Sequence, residues 1–148
     1  MIIDIKKLKQ SGKDECSFHF ETELDKDVIT LPGAEFSSPI SVTGVLTLSG
    51  KNAFASGEIA YSLNARCSRC LSEFIFDKVE EFDEEFSEDD TLEDAYKFSK
   101  GIIDLTEMVR EKVILSMPLT VLCKEDCKGI CLGCGANLNE TQCKCNKE

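Results

Sequence analysis

The chain has no tryptophan, two tyrosines, three prolines and a single histidine among its 148 residues. A catalytic zinc keeps an open position and commonly uses histidine among its ligands. His19 is the one imidazole, and it lies in a segment that reads as an ordinary strand. The chain also lacks a phosphate-cradling loop, because Gly129-x3-Gly133-x-Gly135 is without the Lys-Ser/Thr of a P-loop. Carboxylates are plentiful, yet no His, Ser or Lys arrangement surrounds them, so acid–base catalysis has no home and no catalytic residue is assigned. Basic residues are short as well: 17 against 28 acidic ones, a formal net charge of −11. Affinity for nucleic acid comes mostly from Lys and Arg at phosphates, so DNA is excluded as a partner and bare RNA is a poor one. The same charge attracts basic partners. No apolar run follows Met1-Ile2-Ile3-Asp4-Ile5-Lys6-Lys7, and none anywhere reaches the roughly 18 residues of a membrane span. The expectation is a cytoplasmic protein with no membrane partner.

Cysteine is abundant. Eight of the nine fall into four close pairs: Cys67/Cys70, Cys123/Cys127, Cys131/Cys134 and Cys143/Cys145. Two thiolates this close can reach one ion, and a closed tetrahedral zinc site takes four. Four pairs therefore suffice for two zinc ions, and all eight cysteines are candidate ligands. The remaining one, Cys16, reads as a small buried apolar residue. Two partitions are open. In the favoured one, Cys131, Cys134, Cys143 and Cys145 close a short-loop site in the tail. Cys67, Cys70, Cys123 and Cys127 then staple the body across about fifty residues. In the other, Cys123, Cys127, Cys131 and Cys134 form one site. An iron–sulfur cluster takes the same ligands, and a redox role for Cys67 and Cys70 is a further alternative.

The body before the tail reads as strands. Ile40, Val42, Leu46 and Leu48 alternate with polar residues, Gly44 marks a bulge or a close approach, and Gly50-Lys51-Asn52 reads as a turn. Ile59, Tyr61, Leu63 and Ala65 make a second series, and Phe74, Phe76, Phe82 and Phe86 a third. Cys67-Ser68-Arg69-Cys70 lies at the hairpin tip between them. Phe18, Phe20 and Thr22 form a shorter strand. The acidic run over 77–94 reads as a solvated strand face followed by a loop, or as a docking surface for a basic protein. A helix follows, with Asp104 as cap and Glu107 completing a capping box. Leu105, Met108, Val109 and Val113 share its apolar face, and Pro118 ends it. Arg66 and Arg69 read as solvating the hairpin tip. In the tail, Lys124, Lys128, Lys144 and Lys147 are balanced by Glu125, Asp126, Glu140 and Glu148, which makes no nucleic-acid patch. Ile130, Leu132 and Leu138 are too few for a core, so the tail needs metal to hold one shape. The expected architecture is α+β: an antiparallel meander with one packed helix over 1–122, and a cysteine-rich zinc-binding tail over 123–148.

Cys67-Ser68-Arg69-Cys70-Leu71, Asp104-Leu105, Met117-Pro118, the run from Cys127 to Asn139 and Cys143-Lys144-Cys145 together resemble the bacterial YceD-like family of large ribosomal RNA subunit accumulation proteins. The likeness extends from about residue 40 to the end, with Met117 standing where the family usually has leucine. It implies a role in 23S ribosomal RNA accumulation and large-subunit assembly, with the cysteines as metal ligands. A basic ribosomal protein or a large-subunit precursor particle is the implied partner, and direct RNA contact is the weaker version. The competing functions are a thiol–disulfide oxidoreductase using Cys67 and Cys70, and a zinc donor to a ribosomal protein.

Overall fold

The computed structural model describes residues 1–143 and 145. In chain order they form β1 (Ile2–Asp4), α1 (Ile5–Gln10), β2 (Glu15–Thr22), β3 (Glu35–Phe36), β4 (Ile40–Ser49), β5 (Asn52–Arg66), β6 (Glu73–Ser87), β7 (Tyr96–Lys97), β8 (Ile102–Asp104) and α2 (Thr106–Ser116). The main sheet runs β2-β4-β5-β6-β7, with β3 pairing β5 beyond the end of β4, and β1 pairs β8 in a separate ribbon. The three apolar series of the sequence become β4, β5 and β6, an antiparallel meander. Short elements without a periodic signal (α1, β1, β3, β7 and β8) add to it, and β7 runs parallel to β6.

Side chains alternate across a strand, and β4 obeys the rule: Ile40, Val42 and Leu46 are buried while Thr43 and Thr47 are exposed. Residues 50–51 close the first hairpin with Gly50 at φ +63°, the sign that a two-residue loop with glycine first requires. Gly44 marks a close approach, not a bulge. The ladder passes unbroken through Gly44↔Gly57, and the Phe18 ring lies over the pair.

On the inner face, Ile40, Val42, Leu46, Ile59, Leu63 and Phe86 join Leu105 and, from α2, Met108, Val109 and Val113 in one cluster. Polar contacts fix how the helix crosses the sheet. Tyr61 Oη and Ser116 Oγ lie 3.1 Å apart, Tyr96 Oη donates to Glu111 at 2.5 Å, and Lys112 pairs with Glu84.

The helix starts later than the capping-box reading expects. Asp104 is still in the ladder with Ile2, so helical geometry begins at Thr106 and no side chain caps Leu105. The Asp104 carboxylate instead accepts from Thr106 N at 2.9 Å and Thr106 Oγ1 at 2.5 Å. Partial burial pushes its carboxyl up, but these bonds and the Met1 amine outweigh that and hold it below its ordinary value. Arg110 does the same for Asp27. A depressed folded value stabilises above the unfolded value and is lost as pH falls through the folded one. The unfolding midpoint is therefore expected to drop below about pH 4, the ordinary carboxylate range. In Asp104→Asn that drop should be shallower, with about 1 kcal/mol lost at neutral pH, as for a cap-type acceptor; circular dichroism melts at several pH values measure both.

The acidic run divides between two environments. Lys78, Glu80 and Glu84 share the inner face with Phe74, Phe76, Phe82 and Phe86; Lys78 pairs with Glu80 at 3.3 Å. Glu73, Asp77, Glu81, Asp83 and Glu85 point to the outer face, and the chain beyond Ser87 is loop up to β7.

Candidate metal centres

Tight turns bring each Cys-x2-Cys pair together, and both turns are built alike. In the hairpin between β5 and β6, Leu71 N donates to Cys67 O and Cys67 N to Ser72 O, each at 2.9 Å. In the tail, Gly135 N donates to Cys131 O and Cys131 N to Ala136 O, each at 2.8 Å. The residue after the second cysteine is left-handed in both, Leu71 at φ +62° and Gly135 at φ +71°. Glycine reaches that conformation freely; a leucine there is strained by roughly 1–2 kcal/mol. Leu71 is exposed and brings little packing. Leu71→Gly is expected to leave stability unchanged or raise it by up to about 1 kcal/mol, measured by urea unfolding of the metal-loaded protein.

The two turns recruit different partners. Cys67, Cys70, Cys123 and Cys127 form one group of sulfurs, and Cys131, Cys134, Cys143 and Cys145 the other; within each, all sulfurs lie within 4.8 Å of one another. In the first, Cys67–Cys127 and Cys70–Cys123 are both 3.6 Å apart. In the second, the separations are 3.1 Å for Cys131–Cys143, 3.8 Å for Cys131–Cys145 and 3.9 Å for Cys134–Cys143. A disulfide needs about 2.05 Å, whereas four sulfurs at about 2.3 Å from one zinc lie roughly 3.8 Å apart. The grouping matches the favoured partition: one centre ties the hairpin tip to the chain after α2, and the other closes within the tail.

The first centre is enclosed except at Cys123, which is half-buried. Cys67, Cys70 and Cys127 are 0%, 6% and 4% exposed, packed by Phe74, Leu122 and Ile130. The second is open, with Cys134, Cys143 and Cys145 exposed. Charge is unevenly tolerated in both. Burial raises the Cys67 thiol, but the N–H groups of Cys70, Cys123 and Arg69 outweigh it and hold it at about 6. Burial and the sulfurs of Cys70, Cys67 and Cys127 push Cys123 up to about 12. In the tail, Cys143 and the N–H groups of Cys134 and Gly133 lower Cys131 to about 6, while Cys143, Cys134 and Cys131 raise Cys145 to about 12. Cys70 is lowered too, chiefly by the Ser72 hydroxyl, so each centre supports one or two thiolates readily and resists four without a cation among them. That donor set, spacing and electrostatics fit a divalent thiophilic ion.

Residues the sequence marked only as turn or surface hold the first centre in place. Arg69 does not solvate the tip: its Nη1 donates to Cys127 O at 3.2 Å. Asn139 Nδ2 reaches Cys127 Sγ at 3.4 Å, its Oδ1 accepts from Lys128 N, and Asn137 Nδ2 donates to Ser72 Oγ at 3.2 Å. Ser68 and Val121 exchange bonds through Ser68 N to Val121 O (2.8 Å) and Val121 N to Ser68 Oγ (3.2 Å). Repeated asparagines among the cysteines were the available signal, but nothing in their spacing said which sulfur they serve. Arg66 pairs with Glu73 across the hairpin at 3.1 Å. His19 is an exposed strand residue against Thr43 Oγ1, and Cys16 is half-buried against the core. Lys124 and Lys128 stand beside Glu125 and Asp126 in the tail, whereas Lys144, Lys147 and Glu148 lie outside the described residues.

These features define a class: a small β-sheet protein carrying two tetrathiol centres of the knuckle type. Its family follows from comparison of the sequence. The chain belongs to the YceD family, described as large ribosomal RNA subunit accumulation protein YceD, whose model matches residues 55–148. The match begins inside β5, later than the resemblance near residue 40, and takes in both centres and α2. Among curated proteins, the chain is 46% identical over 46 residues to large ribosomal RNA subunit accumulation protein YCED homolog 1, chloroplastic, of Arabidopsis thaliana, covering 31% of this chain and 14% of that protein. The same-named protein of Zea mays is 46% identical over 44 residues, covering 29% and 15%. The chain thus spans a small part of both plant proteins. No solved structure matches it.

Proposed function

We propose that this protein supports accumulation of 23S ribosomal RNA by acting in assembly of the large subunit. It is a zinc-stabilised, acidic protein-binding factor in the cytoplasm and not an enzyme. One observation carries the reading beyond the family name. The outer face of the sheet is uncovered and acidic: Glu21 of β2, Glu58 of β5, and Asp77, Glu81 and Asp83 of β6 stand among small polar side chains. The exposed apolar Phe54, Ile75 and Val79 share that face, and its excess of acid attracts a basic ribosomal protein, free or within a precursor particle, and repels bare RNA. The cysteines act as structural ligands, and the reduced state they need suits a reducing compartment. Zinc bound by them would supply a fixed cross-link between segments. No helix among the described residues is long and apolar enough to cross a membrane.

Burial favours this reading over an oxidoreductase. Redox catalysis requires an accessible low-pKa thiol, and the two lowered ones of the first centre, Cys67 and Cys70, are both buried. The groove lined by Glu23, Leu24, Lys26 and Phe36, about 400 Å³, holds no cysteine or histidine. Co-migration of the metal-loaded protein with large-subunit precursors in density gradients tests the reading. Free sedimentation at all salt concentrations, or tight binding to bare 23S RNA with a steep salt slope, overturns it. The openness of the second centre favours a subsidiary reading as zinc donor, for which one ion per chain should pass to a chromophoric chelator far faster than the other.

A further inference from the structure

One of the two longest strands among the described residues has an unoccupied side. β6 pairs with β5 along its whole length, Glu73–Ser87. On its other side β7 meets only Phe86 and Ser87. Residues 73–85 therefore present an open edge about 40 Å long at the rise of a strand. Among the described residues, no backbone hydrogen bond from a loop or helix reaches these positions. Unpaired edge N–H and C=O groups are a template for another strand, and proteins protect such edges when they are not used.

The side chains along this edge are incompletely covered. Ile75 and Val79 are 61% and 55% exposed on the outer face, and Phe74 and Phe76 are only half-buried on the inner one. An added strand would cover all four. The other side chains select its charge. A second copy of β6 would set Glu73, Asp77, Glu81, Asp83 and Glu85 beside an identical row, and like charges facing across strands are destabilising. A strand with Lys or Arg at those positions meets complementary charge.

We propose that residues 73–85 of β6 bind an extended, lysine- or arginine-rich segment of a partner protein by strand addition. Basic side chains of the segment face the acidic row, their stems covering Ile75 and Val79, and its apolar side chains, on the other face, cover Phe74 and Phe76. Main-chain bonds provide the grip, and the alternation of side chains provides selectivity. The inference rests on the reading of the protein as a factor that binds basic partners, and it names the surface and the form of that partner.

Three probes test it on the full metal-loaded chain: a thirteen-residue peptide of alternating lysine and valine, the same peptide N-methylated at alternate backbone nitrogens in each of the two phases, and an oligolysine of equal charge. Binding is followed by anisotropy and amide hydrogen exchange. The alternating peptide is expected to slow exchange at alternate amides within 73–85. Methylation in one phase only should weaken binding by roughly tenfold or more, as loss of several main-chain bonds implies. Glu81→Lys with Asp83→Lys, two exposed substitutions, should weaken it by a similar factor while the unfolding midpoint holds. Equal binding by oligolysine and both methylated peptides, protection outside 73–85, or no binding overturns the proposal, and the acids then serve only to keep copies of the edge apart. Co-migration with precursor particles is scored separately. Failure of the peptides with co-migration retained removes strand addition alone, whereas loss of co-migration in the parent removes the functional reading.

Discussion

With serine in place of Cys127, the metal content is expected to fall from two equivalents to one, and the body of the protein is expected to lose much of its stability. Cys127 belongs to the more enclosed centre, where it accepts from Asn139 and packs with Cys67 and Cys70. That centre joins the tip of the β5–β6 hairpin to the chain beyond α2, so its loss releases both. Apparent binding free energies of structural zinc are about 10–16 kcal/mol, and breaking a site of that kind forfeits on the order of 5 kcal/mol. Few side chains compensate, since Ile130 is half-buried and Leu132 is 99% exposed. Cys143→Ser supplies the contrast. It should also cost one equivalent, yet leave the sheet's melting near that of the parent, because the open centre closes only within the tail. Elemental analysis with far-ultraviolet circular dichroism measures both variants; tryptophan fluorescence is not an option in a chain without tryptophan. Equal loss of sheet stability in the two would contradict the asymmetry.

Gly57→Ala should be nearly as damaging, for a reason unrelated to metal. A Cβ at residue 57 would stand 2.1 Å from Thr43 O and 2.6 Å from Gly44 Cα. Both are backbone atoms in the middle of the β4–β5 ladder, so no side chain can rotate away. The strands must separate or lose register, at an expected cost of about 3 kcal/mol or more. Gly50→Ala is the control. Its surroundings are open and only its φ of +63° opposes a side chain, so about 1 kcal/mol is expected. Urea unfolding of the two variants side by side separates steric collision from backbone strain. A Gly57→Ala protein as stable as Gly50→Ala would show that the sheet is more yielding at its centre than the ladder implies.

Much of the site was legible because its unit is local. A Cys-x2-Cys pair closes its own turn, and Cys131-x2-Cys134 with Gly135 displays even the left-handed position in its letters. Cys67-x2-Cys70 hides that position under Leu71, and the common hydrogen-bond pattern revealed it. The meander was legible for a similar reason: Ile40 to Leu48 and Ile59 to Ala65 alternate, with Gly50 between them. Where periodicity failed, so did the reading. β3 and β7 have two residues each: β3 exists because β5 extends past β4, and β7 adds to the last two residues of β6 on its otherwise free side. Asp104 looked like a helix cap and does accept from Thr106 N, but its place in the β1 ladder moves the start of the helix to Thr106. Arg69 looked like a solvated tip, and the tip is folded against Cys127.

Local spacing alone was enough to announce pairs of sulfurs, alternating strands, an excess of acid and a family likeness, since each depends on residues within a turn or a strand of one another. Which pairs would share a centre, why glycine must stand at residue 57, and where a strand edge would be left open depend on segments tens of residues apart. Those were settled only when the sheet and its crossing helix brought Cys67 to Cys127, Gly57 to Thr43, and β6 to the margin of the sheet.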